Sequence, residues 1–597
     1  MLVADYIFER LADIGVKCVF MVSGGGAMFL NNALGNQKRI RYICNHHEQG
    51  SAIAAEGYAR VTNRLAVVSV TTGPGGTNSL TGVIGQWLDS LPVLYISGQV
   101  KFETTVASCP ELHLRQLGDQ EINITDIVRP VTKYAKIISD PSAVRYELEK
   151  AIHLALSGRR GPVWLDIPLN VQGADIDPDS LEGYQPVPWS ATDALDESAE
   201  KTLELLYRAK APVIVAGHGV RLSGGIGTFH RLIDKIQCPV LSTLNGFDLL
   251  ATGHPLSIGR VGTIGDRPGN IALQNADFVL CIGTRNNIRQ VSYNWENFAK
   301  KAESLIVVDI DPAELRKKSI RADLVIEADA CDFMESMLAQ ASASKLPDCS
   351  KWLNWNRERK LRYPVVLPEY QSVSKGVQPY YFTEVLTRML PDNAVVACTN
   401  ATPSITLFQA GTVRDGQRMF VNSGCAAMGF GLPAALGAAA AVDNARPVFC
   451  LEGDGSLMMN MQELQTIFHN KLPVKLFLFS NNEYSSIRQT HDAFFPGHHT
   501  GCDNASGVTF PCWEKVANAF GWPFLRIESH EGLDRRIAKV LASESMFFCE
   551  VVLTPGYEFA PKLSSQRLPD GRIVSKSLED MYPFLSDEEM SRNVYHR

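Results

Sequence analysis

The chain has 597 residues, a formal net charge of −7, and 45% hydrophobic and 20% charged residues. That length accommodates about three or four ordinary domains with ample apolar material for packed cores. So small a negative charge, spread over so long a chain, argues against a nucleic-acid or anionic-membrane partner.

In chain order, residues 1–16 set Asp5, Glu9, Arg10 and Asp13 among apolar positions, the pattern of an amphipathic helix rather than a signal peptide. Short apolar runs then alternate with helical stretches, which predicts α/β layers on parallel sheets. A first block, residues 1–172, has strand-like runs at 65–70, 92–96 and 162–167. The stretch 175–188, bearing Pro and Asp, reads as a linker. A second block, 190–340, has runs at 212–216, 239–242, 278–282 and 305–309, and a polar segment, 341–360, follows as a connector. A third block covers 375–556, and the charged, Ser- and Pro-rich tail, 557–597, is expected to pack over a surface as an arm or lid. The thirteen cysteines are scattered without a CxxC pair or metal-type spacing, as small buried residues in a reducing compartment are. No apolar run approaches about 18 residues. A soluble, cytoplasmic protein is expected.

The chemistry-bearing segments lie in the first and third blocks. Glu48 follows the apolar lead-in Tyr42-Ile43-Cys44 and stands at the opening of a helix that runs through Ala54-Ala55-Glu56-Gly57-Tyr58-Ala59-Arg60. It either complements that helix's N-terminus or acts on a ligand. Thr71-Thr72-Gly73-Pro74-Gly75-Gly76-Thr77-Asn78 lies between a strand and a helix, where Gly73 and Gly75 let backbone approach a ligand; alone this is a weak signal. In the third block, Gly453-Asp454-Gly455-Ser456 ends the apolar run 447–451, and Asn481-Asn482 ends the run 474–479, with a helix-like segment, 461–469, between them. Asp454 and Asn481 are 27 positions apart (481 − 454). A carboxylate and an amide oxygen at neighbouring strand ends suit an oxygen-loving cation such as Mg²⁺, and Gly455 beside a helix N-terminus suits a phosphate.

Together these segments resemble the thiamine-diphosphate-dependent decarboxylases and carboligases, over nearly the whole chain. The resemblance is closest to the acetolactate synthase branch. It is carried by Thr72-Gly73-Pro74-Gly75-Gly76-Thr77-Asn78, Gly98-Gln99-Val100, Arg129-Pro130-Val131-Thr132-Lys133 and Ala427-Met428-Gly429-Phe430-Gly431-Leu432-Pro433. It implies three doubly wound parallel-sheet domains: pyrimidine-binding, central nucleotide-fold and diphosphate-binding. Asp454, Asn481 and the Glu483 carbonyl would hold Mg²⁺, Met428 would bend the cofactor, and Glu48 would hydrogen-bond its aminopyrimidine N1′. Gly73, Gly75, Asn78, Gln99, Thr399, Asn400, Ala401, Thr402, Ala426, Gly453, Gly455, Ser456, Tyr484 and Ser485 would line the cofactor. The implied reaction is decarboxylation of a 2-oxoacid such as pyruvate and transfer of its two-carbon unit to a carbonyl acceptor. Glu48 would come from one subunit and Gly453–Asn481 from the other, in a homodimer or dimer of dimers, with a small regulatory subunit left open. Acetolactate synthases also carry FAD in the central domain. The positions matching that site are Arg159, Gly217, Gly219, Thr243, Leu244, Gly262, Thr263, Gly283, Arg285, Arg289 and Asp309, although Asn286-Asn287-Ile288 departs from the acidic run usual between the two arginines. The glycines are equally explained as strand-end turns.

Around the substrate channel the sequence departs from acetolactate synthase. Asp119 replaces an aromatic residue ahead of Gln120, Ser486 and Arg488 replace methionines, Thr490 replaces a tryptophan, and Leu169 stands where a lysine is usual. A larger, more polar pocket fits a hydroxylated or phosphorylated acceptor, with Arg488 as a bidentate donor. The surrounding phrases resemble relatives that transfer an acetaldehyde unit to a nucleotide-linked keto sugar in polysaccharide synthesis. Two other classes fit the sequence less well. A nicotinamide or flavin oxidoreductase lacks a complete GxGxxG with its acidic partner. A silent regulatory member would not keep Glu48, Asp454 and Asn481 together.

Overall fold

A computed structural model describes residues 1–187, 194–567 and 570–597. The end of the expected linker, Pro188, and the expected start of the second block at residue 190 lie outside the described residues. Eighteen strands build three six-stranded parallel sheets. The first comprises β1 (Cys18–Met21), β2 (Arg41–Cys44), β3 (Ala66–Val70), β4 (Val93–Gln99), β5 (Tyr134–Ile137) and β6 (Val163–Pro168). The second comprises β7 (Pro212–Ala216), β8 (Val240–Ser242), β9 (Ser257–Arg260), β10 (Phe278–Ile282), β11 (Ser304–Asp309) and β12 (Leu324–Glu327). The third comprises β13 (Val395–Cys398), β14 (Arg418–Val421), β15 (Val448–Gly453), β16 (Val474–Ser480), β17 (Phe524–Ile527) and β18 (Phe547–Val552).

The central strands read as unbroken apolar runs because helices cover both faces of each sheet. The first and third sheets share one topology, β2-β1-β3-β4-β6-β5 and β14-β13-β15-β16-β18-β17. The second runs β12-β11-β10-β7-β8-β9, the doubly wound order with its switch point between β7 and β10. In the third sheet the order reverses between β13 and β15, so a crevice opens beyond the carboxyl ends of those strands.

The first and third sheets are joined by two helices, Glu48–Thr62 and Gly431–Val442, which contribute to one apolar core. Their approach is so close that a Cβ on Gly57 would overlap the Ala434 carbonyl, and one on Gly437 would overlap that of Ala54. The Glu56–Arg60 stretch serves the same junction. Buried Arg60 donates Nε to Glu56 Oε1 at 3.0 Å and Nη2 to Asp89 Oδ2 at 2.5 Å. Asn422 of the third unit donates to Glu56 at 3.1 Å, and Asn245 of the second donates to Asp89 at 3.2 Å.

Two expectations change. The polar connector 341–360 contains the start of a helix, Ser350–Arg362, anchored by buried Trp352 stacked on Trp355 at 5.2 Å between ring centroids. Its charged residues hide an aromatic anchor whose partners lie far along the chain, among them Tyr595, 4.7 Å from Trp352, and the Pro212 carbonyl, which accepts the indole N–H at 2.9 Å. The helix-like segment 461–469 is the helix Glu463–His469, and a further helix, Asp454–Asn460, precedes it, so helix begins at Asp454 itself. The tail packs as an arm over the second sheet's unit: Met581 and Leu578 are buried, and Gln274 donates to Glu579 at 2.9 Å.

Candidate active site

Both halves of the expected site form at strand ends. Asp454, 3% exposed, directly follows β15, where its carboxylate receives backbone N–H groups from Gly455 at 2.8 Å, Asn481 at 2.9 Å and Asn482 at 2.8 Å. Burial pushes its pKa up to about 6 against those three donors. A buried carboxylate met only by backbone dipoles keeps lone-pair capacity and an uncompensated charge, as a cation ligand should. Asn481, at the end of β16, is oriented by its amide: Nδ2 donates to Ser485 Oγ and, at 2.9 Å, to the Tyr557 hydroxyl. Its Oδ1 accepts the Glu483 N–H at 3.2 Å and retains a second lone pair. This donor set suits a hard divalent cation.

Space for a diphosphate lies alongside. A Cβ added at Gly453 would meet open space, whereas one at Gly455 would overlap the Tyr484 ring with Met428 close by. Ser456 Oγ bonds Thr399 Oγ1 at 2.6 Å and accepts the Gly429 N–H at 2.7 Å, linking the ends of β13 and β15 across the switch point. Asn400 donates to the Ala426 carbonyl at 2.9 Å, and Ala401 and Ala426 both have left-handed φ of 53°. Thr402 bonds Tyr557, and Ser485 opens the helix Ser485–Phe494.

Glu48 opens its helix behind the N-cap His47, is 9% exposed, and accepts from Asn78 Nδ2 at 3.0 Å. Gly73, at φ 64°, admits the chain only as glycine, since a Cβ there would overlap the Gln120 carbonyl. That contact lays the loop of Asp119 and Gln120, both exposed, against the turn leading to Gly75 and Asn78. Gln99 is buried, and its amide bonds Asp166, Ile122 and Val100 within the chain. Gln49, beside Glu48, accepts from Asn460 at 2.8 Å. Asn460 closes the seven-residue helix that Asp454 opens, so about 9 Å of helix separates that contact from Asp454.

The family comparison decides what these two halves belong to. Residues 1–126 match "Thiamine pyrophosphate enzyme, N-terminal TPP binding domain", residues 199–337 the central domain of the same enzymes, and residues 402–551 their C-terminal TPP binding domain. Acetolactate synthase 1, chloroplastic, of Nicotiana tabacum is 32% identical over 94% of this chain and 83% of its own length. The acetolactate synthase large subunit of Lactococcus lactis is 29% identical over 94% of both chains. A probable large subunit from Methanocaldococcus jannaschii is 29% identical over 96% of this chain and 94% of its own. The chain belongs to the thiamine-diphosphate-dependent enzymes, in the acetolactate synthase-like branch. It is a thiamine-diphosphate-dependent carboligase.

The flavoprotein expectation is corrected. The matched family descriptions name thiamine pyrophosphate for all three domains, and no flavin appears in them or in the relatives' names. The residues offered for it have other occupations. Arg159 pairs with Asp311 and Glu314, both at 2.8 Å. Gly217 and Gly219 pack on Gly283, and Gly262, at φ 120°, lies against the Arg289 carbonyl that accepts the Thr263 N–H at 2.8 Å. Thr243 bonds the Ala216 carbonyl, Lys317 bonds the Arg285 carbonyl, and Asp309 accepts the Asp311 N–H. Several of these, with Leu244, border a cavity of about 400 Å³ beyond β7 and β10, and the glycines among them serve as strand-end turns, the alternative the sequence left open.

Arg488 also differs from expectation. Rather than standing free for an acceptor, it donates Nε to Glu483 at 2.8 Å and Nη1 to Asp492 at 2.7 Å. Asp492 continues to His499 at 2.8 Å and His499 to Asp503 at 2.7 Å, so this helix and the following loop form one ion-paired string. Thr490, exposed, bonds back to the carbonyl of half-buried Ser486 at 2.9 Å.

Tyr557 was missed. It follows β18 at the start of the tail, with no flanking motif, yet its buried hydroxyl bonds Asn481, Ser485 and Thr402 at 2.9, 2.9 and 2.7 Å. If Asp454 and Asn481 hold Mg²⁺, Tyr557→Phe should weaken its affinity by about 10–100-fold, as loss of a ligand's supporting bond does. The cost in stability should be only about 1 kcal/mol, read by thermal unfolding beside an Mg²⁺ titration of activity.

Proposed function

We propose that the enzyme is Mg²⁺-dependent and transfers the two-carbon unit of a 2-oxoacid, pyruvate foremost, to a carbonyl acceptor. The observation that carries the reading is the buried Asp454 carboxylate beside the inward-held Asn481 amide at neighbouring strand ends. These two, with the Glu483 carbonyl, would hold the cation, and Gly453, Gly455 and Ser456 would border the diphosphate. Thiamine diphosphate, when bound, supplies the electron sink for a two-carbon carbanion. Glu48, largely out of solvent and fixed by Asn78, would hold a proton at the aminopyrimidine N1′. Ordering the loop of Asp119 and Gln120 against Gly73 would help exclude water until the acceptor arrives.

We further propose a homodimer in which Glu48 of one chain completes the Asp454 site of the other. Support comes from exposed apolar residues that flank both halves: Met458 and Met459 after Asp454, and Met28 and Tyr42 on the Glu48 side.

A second reading, with a nucleotide-linked keto sugar as acceptor, is favoured by the half-buried Ser486, the exposed Thr490 and the charged, exposed Asp119. Incubation with pyruvate alone separates the two. Rapid acetolactate formation establishes a second 2-oxoacid as acceptor and removes the sugar reading; slow turnover that accelerates on adding a keto sugar does the reverse.

A further inference from the structure

The loop after the helix Ser485–Phe494 gathers donors that the Glu48 and Asp454 half-sites do not use. One ring nitrogen of His499, the Sγ of Cys502 and a carboxylate oxygen of Asp503 lie within 4.8 Å of one another. Ligands bound at about 2.0–2.3 Å to a tetrahedral ion stand roughly 3.4–3.6 Å apart, so movements of about 1 Å bring the three onto one ion. Solvent reaches the group from one side. The side chains of His499 and Asp503 are 30% and 22% exposed, while Cys502 is buried and forms the floor.

The remaining valences of these side chains are already arranged. Asp503 Oδ1 is taken by its own turn, accepting the Ser506 N–H at 2.9 Å and the Ser506 hydroxyl at 2.7 Å, which leaves Oδ2 toward His499. The Cys502 sulfur has the Ser506 hydroxyl as a distant partner at 3.9 Å. His499 has a carboxylate on each side: Nε2 meets Asp492 Oδ1 at 2.8 Å, and Nδ1 meets Asp503 Oδ2 at 2.7 Å. A neutral imidazole carries a single N–H and satisfies only one of them. With that hydrogen on Nε2, the Nδ1 lone pair points at a carboxylate oxygen, and a cation must stand between the two atoms. A proton can serve, but it leaves the neighbouring thiol out; a metal ion engages all three. The Asp492–His499 bond is then the outer carboxylate that commonly fixes the tautomer of a metal-binding histidine.

We infer that His499 Nδ1, Cys502 Sγ and Asp503 Oδ2 form a Zn²⁺ site, with water as the fourth ligand. Thiolate, imidazole and carboxylate together suit Zn²⁺, whereas Mg²⁺ takes oxygen ligands. One thiolate and one carboxylate also cancel the charge of the ion. Binding expels the Cys502 thiol proton and any proton held between Nδ1 and Asp503. Three protein ligands at a solvent-facing rim leave the ion exchangeable, unlike the closed four-ligand sites of permanently bound structural zinc. Its effect falls on the active-site helix. The Cys502 carbonyl accepts the Tyr484 N–H at 2.7 Å where that helix begins, and Asp492 lies in its last turn. The ion therefore pins the loop to both ends of the helix that carries Ser486 and Thr490.

Titration of the full chain with Zn²⁺ and with Co²⁺, at saturating thiamine diphosphate and excess Mg²⁺ so that the Asp454 site is filled, tests this. Competition against a chromogenic chelator gives the Zn²⁺ affinity. Co²⁺ should give a thiolate-to-metal charge-transfer band, which the oxygen ligands around Asp454 cannot produce. Cys502→Ser should abolish that band and weaken Zn²⁺ by at least about 10–100-fold, the effect of losing a ligand's supporting partner alone. Asp503→Asn keeps an acceptor for Ser506 and should weaken Zn²⁺ to a similar degree, which covers a Cys502→Ser protein that folds poorly. Absence of the cobalt band, a band that survives Cys502→Ser, or Zn²⁺ affinity unchanged in the variants would overturn the assignment and leave protonated His499 as the link between the two carboxylates. Binding is read without turnover, so failure here is distinct from failure of the proposed reaction.

Discussion

Glu48→Gln is expected to lower pyruvate decarboxylation by about 10²–10⁴-fold, the range for loss of a positioned proton-transfer group, while thiamine diphosphate still binds. Gln has the same length and keeps an acceptor for Asn78, so the helix start and the Gly73–Asn78 turn should persist. What the amide cannot do is share a proton with the aminopyrimidine ring as a carboxylate does. Carbon dioxide release measured beside cofactor binding separates the roles. Persistent turnover in the variant would remove Glu48 from the chemistry, and loss of cofactor binding would make it a binding residue instead.

Asp454→Ala should act on the other half. It removes the acceptor of three backbone N–H groups as well as the proposed cation ligand. Supporting partners of metal ligands are worth about 10–100-fold in affinity, so loss of the ligand itself should cost at least that in apparent Mg²⁺ and thiamine diphosphate affinity. Activity should not recover at cofactor levels that saturate the unaltered enzyme. Mixing the two variants, each inactive alone, gives a sharper check. If Glu48 and Asp454 act across the interface, a mixed dimer holds one intact site and activity reappears on subunit exchange. If they act within one chain, mixing restores nothing.

Much of this was legible along the chain, for a definite reason. Parallel strands buried on both faces are written as contiguous apolar runs, so the runs at 212–216 and 278–282 coincide with β7 and β10. Ligand sites at strand ends are likewise written as short contiguous phrases, as at Gly453–Ser456 and Gly73–Asn78. Composition misled where one long-range contact outweighs it. The helix Ser350–Arg362 reads as a polar connector until Trp352 meets Tyr595, and the glycines of the second unit read as a cofactor fingerprint although they pack against neighbouring strand ends.

By itself, then, the sequence determined the three-sheet architecture, which rests on contiguous apolar runs, and, through the resemblance of short contiguous phrases to the family, the cofactor class; the two half-sites it marks belong to the proposed function. Only the tertiary structure decided that Arg488 is already paired with Glu483 and Asp492, that Tyr557 steadies Asn481 across 76 positions, and that Arg221 and Arg418 converge on one carboxylate, Asp248. A side chain's partners depend on which distant elements the fold brings beside it. Charge balance and polar satisfaction are properties of that assembled neighbourhood, and no local pattern encodes them.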